Sequence, residues 1–430
     1  MKLKWISVLL AAGMLISVLA SCTQKKQEEP NDNTQNQTGD IVIDGSYTIV
    51  RSETANSTTV KAATLLRSLI SERSGVDVPI STDYLKKDTK PSNKEILVGK
   101  TNRETEFDRA TLGEGEYYIG VDGEKIIIDA YDHLTLYVAI SEIVEKCFTV
   151  EEGKCMISEN ALTQLGTACK VQSATIKIMS QNIRYADDGA GKNVSDRAPR
   201  FKQLVEMYQP DIIGTQETTA IWNKYYRNYF GEQYGMVGCS RDGKDATSGE
   251  WGTILYRLDR FELLDSGDFW LTKTPNKVSK IAASGCNRIC TWALLKDKIT
   301  GKTFVMANTH LDYVNEEVRQ EQYKYLCKGL SELMEKYPLF LTGDFNTDPT
   351  SQTYNTVTKD LLDPYKEALE NRSTVNHTAD GYGTSGRDGG IIDYCFYNDK
   401  STALWYKILN EQFGGYISDH FGIMSEFIIK

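Results

Sequence analysis

The sequence predicts an α/β protein with two folded domains behind an N-terminal targeting segment. At 430 residues the chain is too long for one ordinary hydrophobic core. Its hydrophobic content of 40% and charged content of 25% are those of a soluble globular protein. Short apolar runs typical of strands alternate along the chain with segments that carry apolar residues at helical spacing.

The first 22 residues have the pattern of a lipoprotein signal peptide. Lys2 and Lys4 precede an apolar run from Trp5 to Leu19, which is too short for a comfortable membrane span. The run ends in Leu19-Ala20-Ser21-Cys22, which resembles the lipobox of bacterial lipoproteins. This resemblance implies that Cys22 is lipidated and anchors the protein to the outer membrane of a bacterial cell envelope, on its periplasmic or surface face. An ordinary secretory peptide cut nearby is the alternative.

Residues 23–40 are rich in Gln, Asn, Glu, Thr and Lys, and we interpret them as a polar tether. Eight further cysteines follow, and an exported protein can form disulfides. The short spacings of Cys147 with Cys155 and of Cys286 with Cys290 suggest pairs, although spacing does not fix connectivity. No Cys or His spacing is typical of zinc, so we interpret these cysteines as structural or free.

Residues 41–168 are predicted to form a small α/β accessory domain with helices packed on one sheet. Tyr47 to Val50 alternates like a strand, and Val60 to Ile70 and Leu134 to Cys147 have helical spacing. The stretches 95–103 and 115–117 resemble N-terminal accessory domains of bacterial glycoside hydrolases. We expect no catalytic group from this domain.

Residues 173–430 form the second predicted domain, in which apolar strands carry a polar residue at or near their ends. The clearest example is Pro338 to Asn346, where Asp344 and Asn346 follow a buried strand and a glycine turn. A carboxylate and a carboxamide placed there suit a water-activating or metal-bound site. Eight such residues are expected to converge on one rim of a sheet sandwich: Asn182, Glu217, His310, Asp344, Asn346, Asp393, Asp419 and His420.

Each of these residues has a structural alternative. Asn182 and Asn346 are ordinary turn residues, and Glu217 could begin a helix. His310 could be a satisfied core histidine. Asp393 is harder to explain structurally because it interrupts an apolar strand, and a buried carboxylate needs a partner. The recurrence of one pattern therefore favours a functional site.

Six motifs of the second domain carry a family resemblance when they are taken together and in order. They are Gln181-Asn182-Ile183-Arg184, Gln216-Glu217, Asn308-Thr309-His310, Gly343-Asp344-Phe345-Asn346, Ile392-Asp393-Tyr394 and Ser418-Asp419-His420. They resemble the endonuclease/exonuclease/phosphatase superfamily, which includes DNase I-like nucleases, neutral sphingomyelinases and inositol polyphosphate phosphatases. The resemblance implies a four-layer sandwich of two mixed β-sheets flanked by helices. Local stretches such as Ser240-Arg241-Asp242-Gly243 and residues 288–292 resemble a bacterial branch.

The resemblance also implies a metal site. Glu217 would be the principal ligand of Mg²⁺, with Asn182 beside it and Asp419 as a further ligand. Oxygen-rich carboxylate and amide ligands suit a hard cation such as Mg²⁺ or Mn²⁺. His420 would be the catalytic histidine, oriented by Asp393.

Five further residues have expected roles. Asp344 would orient the attacking water or serve the leaving group, and Asn346 would donate a hydrogen bond to a phosphoryl oxygen. His310 would be a second catalytic histidine, and Glu250 matches the family position that pairs with it. Arg184 could hold phosphate bidentately.

These inferences predict a metal-dependent phosphoesterase, and first of all a phosphodiesterase acting on an extracytoplasmic lipid-, inositol- or glycan-linked phosphate. A secreted non-specific nuclease is the alternative within the superfamily. Nucleic acid is not favoured as a partner, because the net charge is −10 and no Lys and Arg run is interleaved with aromatic residues. A surface-anchored binding protein with a non-catalytic site is the alternative from another class. The oligomeric state is not predicted.

Overall fold

A computed structural model describes residues 41–151, 154–157, 168–384 and 390–430. The predicted signal peptide, Cys22 and the tether over residues 23–40 lie outside the described residues. In the described part, no helix combines the length and the apolar character that crossing a membrane requires. Cys147, Cys155, Cys286 and Cys290 are free thiols, so the two suggested disulfide pairs are wrong.

The first domain contains two helices on a mixed sheet. The six-stranded sheet has the order β3-β2-β4-β6-β5-β9, and a three-stranded antiparallel sheet has the order β1-β8-β7. The strands are β1 Ile41–Ile43, β2 Thr48–Arg51, β3 Ile80–Thr82, β4 Glu95–Val98, β5 Glu116–Asp122, β6 Lys125–Ala130, β7 Phe148–Glu151, β8 Lys154–Ile157 and β9 Cys169–Lys170. The helices are α1 Ser57–Ser74 and α2 His133–Cys147, with a 3₁₀ turn at Arg109–Thr111.

Local sequence signals set the ends of α1. The Asn56 side chain accepts a hydrogen bond from the Thr59 amide, which satisfies one of the free donors of the first turn. Gly75 ends the helix with φ 73°, a left-handed conformation that glycine adopts without a side-chain clash. The inner face of the helix, with Ala62, Leu66 and Ile70, packs into the core of this domain.

The second domain is the predicted four-layer sandwich. A seven-stranded sheet has the order β12-β13-β11-β10-β21-β20-β18, and a five-stranded sheet has the order β14-β15-β16-β17-β19. The strands are β10 Ile176–Asn182, β11 Ile212–Thr218, β12 Tyr234–Val237, β13 Trp251–Arg257, β14 Phe261–Trp270, β15 Ile289–Asp297, β16 Thr303–His310, β17 Leu339–Asp344, β18 Glu370–Asn371, β19 Asp393–Tyr397, β20 Ser401–Leu409 and β21 Gly422–Ile429. The helices are α3 Val194–Tyr208, α4 Ala220–Phe230, α5 Glu316–Lys336, α6 Gln352–Asp360 and α7 Pro364–Glu367.

Successive side chains of a strand point to opposite faces of the sheet, and this alternation explains how the sheets and helices of the second domain are layered. On β10, Ile178 packs between the two sheets, whereas its neighbour Met179 packs against α3 and α4. On the other side, Leu326 and Leu330 of α5 pack against the five-stranded sheet. Strands such as β17 and β19 are buried on both faces, because the sheet is covered on both faces at these strands.

The described residues of the two domains belong to one compact unit. Thr58 of α1 donates a hydrogen bond to the Leu369 carbonyl at 3.2 Å. Val138 of α2 belongs to the hydrophobic core that contains Met179 and α3. Glu142 accepts a hydrogen bond from the Gln172 amide at 2.8 Å, so α2 also holds the segment that connects the domains.

Strand direction brings the candidate residues to one edge. β10 runs parallel to β11, and β16 runs parallel to β17, so their carboxyl ends meet at the same rim. β19 is antiparallel to β17 and β21 is antiparallel to β10, so these two strands begin at that rim. In register, Asp344 lies opposite both His310 and Asp393.

Candidate active site

Three residues of this rim have left-handed backbones that only glycine adopts without cost. The φ values are 57° at Arg184, 59° at Glu217 and 49° at Asn346. Each such residue costs of order 1 kcal/mol or more, and this kind of strain is concentrated at functional sites. At Glu217 the pairing of β11 with β13 shifts register between Thr215 and Thr218, and this irregularity reorients the side chain at the strand end.

His420 and Asp393 form a hydrogen-bonded pair. The His420 Nδ1 lies 2.9 Å from Asp393 Oδ2, while Nε2 lies 4.0 Å from Asp344 Oδ2. The other oxygen of Asp393 is buried without a partner, so His420 supplies the single hydrogen bond that this carboxylate receives from described residues. Burial lowers the pKa of His420, but the charges of Asp393, Asp344 and Asp419 outweigh burial and raise that pKa to about 10. The ring is therefore an imidazolium at neutral pH.

Two carboxylates converge on the amide of Asn182. Its Nδ2 donates to Glu217 Oε1 at 3.0 Å and to Asp344 Oδ2 at 2.9 Å, and its oxygen accepts from the Arg184 amide at 3.0 Å. Burial and the nearby charge of Asp393 raise the pKa of Asp344 to about 7. This part of the rim is a concentration of negative charge that a cation would relieve.

His310 is a neutral base in a largely buried position. Its Nε2 lies 3.0 Å from the Asn346 amide and 3.5 Å from Asp344 Oδ2, and its Nδ1 has no hydrogen-bond partner in the described structure. Burial lowers its pKa well below the ordinary value, and the charges of Arg288 and Arg241 add to that shift. The imidazole is therefore uncharged at neutral pH.

Two predicted phosphate-binding groups are already engaged within the protein. The Arg184 guanidinium binds Asp188 through two hydrogen bonds of 3.0 and 3.2 Å and lies 3.6 Å from Asp419. The Asn346 amide nitrogen donates to the Leu311 carbonyl and faces His310, each at 3.0 Å. Their roles toward phosphate stay predictions that require these bonds to rearrange.

Glu250 and His310 line one pocket, but no hydrogen bond joins them in the described structure, and their expected pairing stays a prediction. Glu250 instead accepts a hydrogen bond of 2.8 Å from Arg241, to which it is also linked through the backbone. The fully charged guanidinium is a stronger partner for a carboxylate than a neutral imidazole. No role was predicted for Arg241 or Arg288, although both lie in the stretches that resemble the bacterial branch. Both line a narrow pocket with Glu217 and His310.

Two groups of the described residues have ligand atoms close enough to hold a metal ion. Glu217, His310 and Asp344 form one group, and Asp344, Asp393 and His420 form the other. The first group suits a divalent cation because it offers two carboxylates close together, one with a raised pKa. The second group contains the charged pair of His420 and Asp393, which disfavours a cation. Asp419 belongs to neither group; its carboxylate lies beside Ser418 and Arg184.

Acid, amide and histidine side chains that meet at one rim of a two-sheet sandwich can hold a divalent cation and polarise a phosphoryl group. Residues 179–420, more than half of the chain, match the Endonuclease/Exonuclease/phosphatase family, and the protein belongs to that family.

Several relatives are similar to this chain. A family protein from Bacteroides thetaiotaomicron is 31% identical over 60% of this chain and 99% of its own, with a TM-score of 0.57. The mannosyl-6-phosphatase of Bacteroides thetaiotaomicron VPI-5482 is also 31% identical, over 59% of this chain and all of its own, with a TM-score of 0.56. Nocturnin from Rattus norvegicus is 25% identical over 321 residues, which span 66% of this chain and 73% of nocturnin.

Proposed function

We propose that this protein is a divalent-metal-dependent hydrolase of phosphate esters carried by sugars or glycans of the bacterial envelope. The observation that carries the proposal is the group of Glu217, Asp344 and His310 beside the charged pair of His420 and Asp393. Similarity to a mannosyl-6-phosphatase supports the choice of sugar-linked phosphate. Mg²⁺ is the cation that we propose first, with Mn²⁺ as the substitute.

The side chains of the rim have different proposed roles in the hydrolysis. The His420 imidazolium, held by Asp393, presents positive charge to phosphoryl oxygens that gain charge in the transition state. Asp344 lies between His420 and His310, where its carboxylate can orient a water molecule. A divalent cation held by Glu217 and Asp344 would supply further neutralisation of the phosphoryl charge.

The direct test uses the purified full-length protein with Mg²⁺. Mannose 6-phosphate, an inositol phosphate, phosphatidylcholine vesicles and single-stranded RNA are offered separately, and the products are assayed. Faster hydrolysis of the sugar phosphate than of the other three supports the proposal. Cleavage of RNA alone would overturn it in favour of the nuclease alternative, and hydrolysis of none would favour the binding-protein alternative.

The envelope location is a separate proposal that rests on Cys22 and the residues before it. We propose that Cys22→Ser moves the protein from the membrane fraction of its bacterial host to a soluble fraction. Unchanged membrane association of the variant would contradict the lipid anchor.

A further inference from the structure

Arg288 is a buried cation with unused hydrogen-bond donors. Its side chain is 4% exposed, and the nearest carboxylate oxygen, on Asp312, lies 3.9 Å from Nε. No group in the described ranges accepts a hydrogen bond from this guanidinium, and its Nε is sealed from solvent. Asp312 is already bonded by the Ser284 hydroxyl and by the amides of Gly285 and Val314. Asp312 therefore balances the charge of Arg288 but accepts no hydrogen bond from it, so this guanidinium can still donate to a further anion.

Arg241 faces the same pocket. One of its nitrogens donates to Glu250 at 2.8 Å, but its Nε is buried without a partner. Since we assign Glu217 to the cation, Glu250 is the carboxylate that remains in the pocket lining, while Asp312 lies 3.9 Å from Arg288, too far for a hydrogen bond. The unused donors of the two guanidinium groups are therefore available to an anion from outside.

The pocket is small and adjoins the reaction centre. Its free volume of about 20 Å³ admits one water-sized group, and hence an oxygen atom but not a sugar ring. Glu217 and His310, which line it, also belong to the group proposed to hold the cation. An atom in this pocket therefore lies next to the position of the phosphoryl group.

We propose that Arg241 and Arg288 form a subsite for a terminal oxygen of the phosphoryl group and thereby select phosphate monoesters over diesters. This inference rests on the proposed function. A monoester presents three terminal oxygens and two negative charges near neutral pH, whereas a diester presents two terminal oxygens and one charge. Arginine donors favour the more highly charged group. This proposal differs from the preference for a diester that the sequence suggested, and the test below decides between the two.

The test compares p-nitrophenyl phosphate with bis-p-nitrophenyl phosphate for Arg288→Met and Arg241→Met. We expect kcat/KM for the monoester to fall about 10- to 100-fold in each variant, the range for losing a charged hydrogen bond. The diester value should change less than about threefold, because fewer charged oxygens reach the pocket. Arg260→Met is the matched control. Arg260 is equally charged and largely buried, but it pairs with Asp211 and Asp297 at the opposite ends of β11 and β15.

Arg288→Lys separates folding from recognition because it retains the charge but loses the fork of donors. We expect a melting temperature near that of the wild type and a monoester to diester ratio between those of wild type and Arg288→Met. Equal losses on both substrates, or an unchanged ratio in folded Arg288→Lys and Arg241→Met, would overturn the subsite.

A binding measurement separates this inference from the proposed function. Calorimetry with inorganic phosphate and with dimethyl phosphate needs no turnover. We expect the wild type to bind inorganic phosphate at least tenfold more tightly than dimethyl phosphate, and Arg288→Lys to reduce that preference. If the wild type hydrolyses neither ester but shows this preference, the proposed function fails and the subsite stands. Equal binding of inorganic phosphate and dimethyl phosphate by the wild type would refute the proposed subsite.

Discussion

Replacement of Asp393 by asparagine tests how His420 is kept charged. The shift in the pKa of His420 from 6.5 to about 10 corresponds to about 5 kcal/mol of favourable interaction with the imidazolium, at 1.36 kcal/mol per pKa unit. Asp393 makes the largest favourable contribution, because its carboxylate lies 2.9 Å from the ring and has no other hydrogen bond within the described part of the chain. Asp393→Asn removes the charge but preserves the shape of the side chain.

We expect this variant to lose turnover while it retains substrate binding. By analogy with other carboxylate–histidine pairs, kcat should fall about 10²- to 10⁴-fold with KM changed by less than about threefold. The pKa of His420 should fall by about 2 units or more in the metal-free protein. NMR of labelled histidines measures this directly, because the chain has four histidines and His420→Gln identifies the relevant signal.

Linkage gives the sign of the effect on stability. The pKa of His420 is higher in the folded protein, so the pair stabilises the fold fully below pH 6.5 and this contribution disappears as pH rises through about 10. The melting-temperature difference between wild type and Asp393→Asn should therefore be large at pH 6 and small above pH 10. Asp363→Asn is the control, since that buried carboxylate is bonded to Tyr354 instead of a histidine. A large loss of stability with unchanged turnover per folded molecule would refute the catalytic pairing.

Two further predictions concern Glu250, which pairs with Arg241, and the role of the first domain. Glu250→Gln should raise KM for a monoester, because it removes the charged hydrogen bond that positions Arg241, and should lower kcat less than about threefold, because no hydrogen bond joins Glu250 to His310 in the described structure. Steady-state kinetics would contradict this if kcat fell and KM stayed constant. A chain that starts at Ser173 should retain the kcat of the full protein on a small soluble ester but melt at lower temperature, because removal of α2 uncovers apolar surface of the second domain. A well-folded but inactive truncated chain would show that the first domain completes the site.

The positions of the acidic and histidine residues were predictable because they depend on strand direction. Asp344 ends a strongly apolar strand, and Asp393 interrupts another apolar strand. A carboxylate at either position is unusual for a core strand, so the residue pattern indicates a functional role. Parallel pairing then brings the carboxyl ends of distant strands together without further information about loops. The four-layer arrangement, in contrast, was predicted from the family resemblance of the six motifs and not from strand direction.

The residues that pair with the arginines were not predictable, because the pairing depends on how loops fold back in space and not on a regular spacing in the sequence. Glu250 pairs with Arg241 because the backbone of the preceding loop returns alongside it. Arg184 is bound by Asp188, four residues later, although its motif suggested a free phosphate ligand. The burial of Arg288 is equally invisible in the sequence, since arginine is ordinarily exposed and only the folded pocket shows its unused donors.

Metal dependence is the central claim, and turnover before and after removal of divalent cations tests it most directly. Hydrolysis of p-nitrophenyl phosphate by the full-length protein should stop in EDTA and return with Mg²⁺ or Mn²⁺. Glu217→Ala should lower kcat/KM about 10³-fold or more at saturating Mg²⁺, since metal ions contribute several kcal/mol to the transition state. Glu206→Ala, which removes an exposed glutamate paired with Lys202, should have no effect. Near-normal turnover in EDTA, or in Glu217→Ala, would contradict the account.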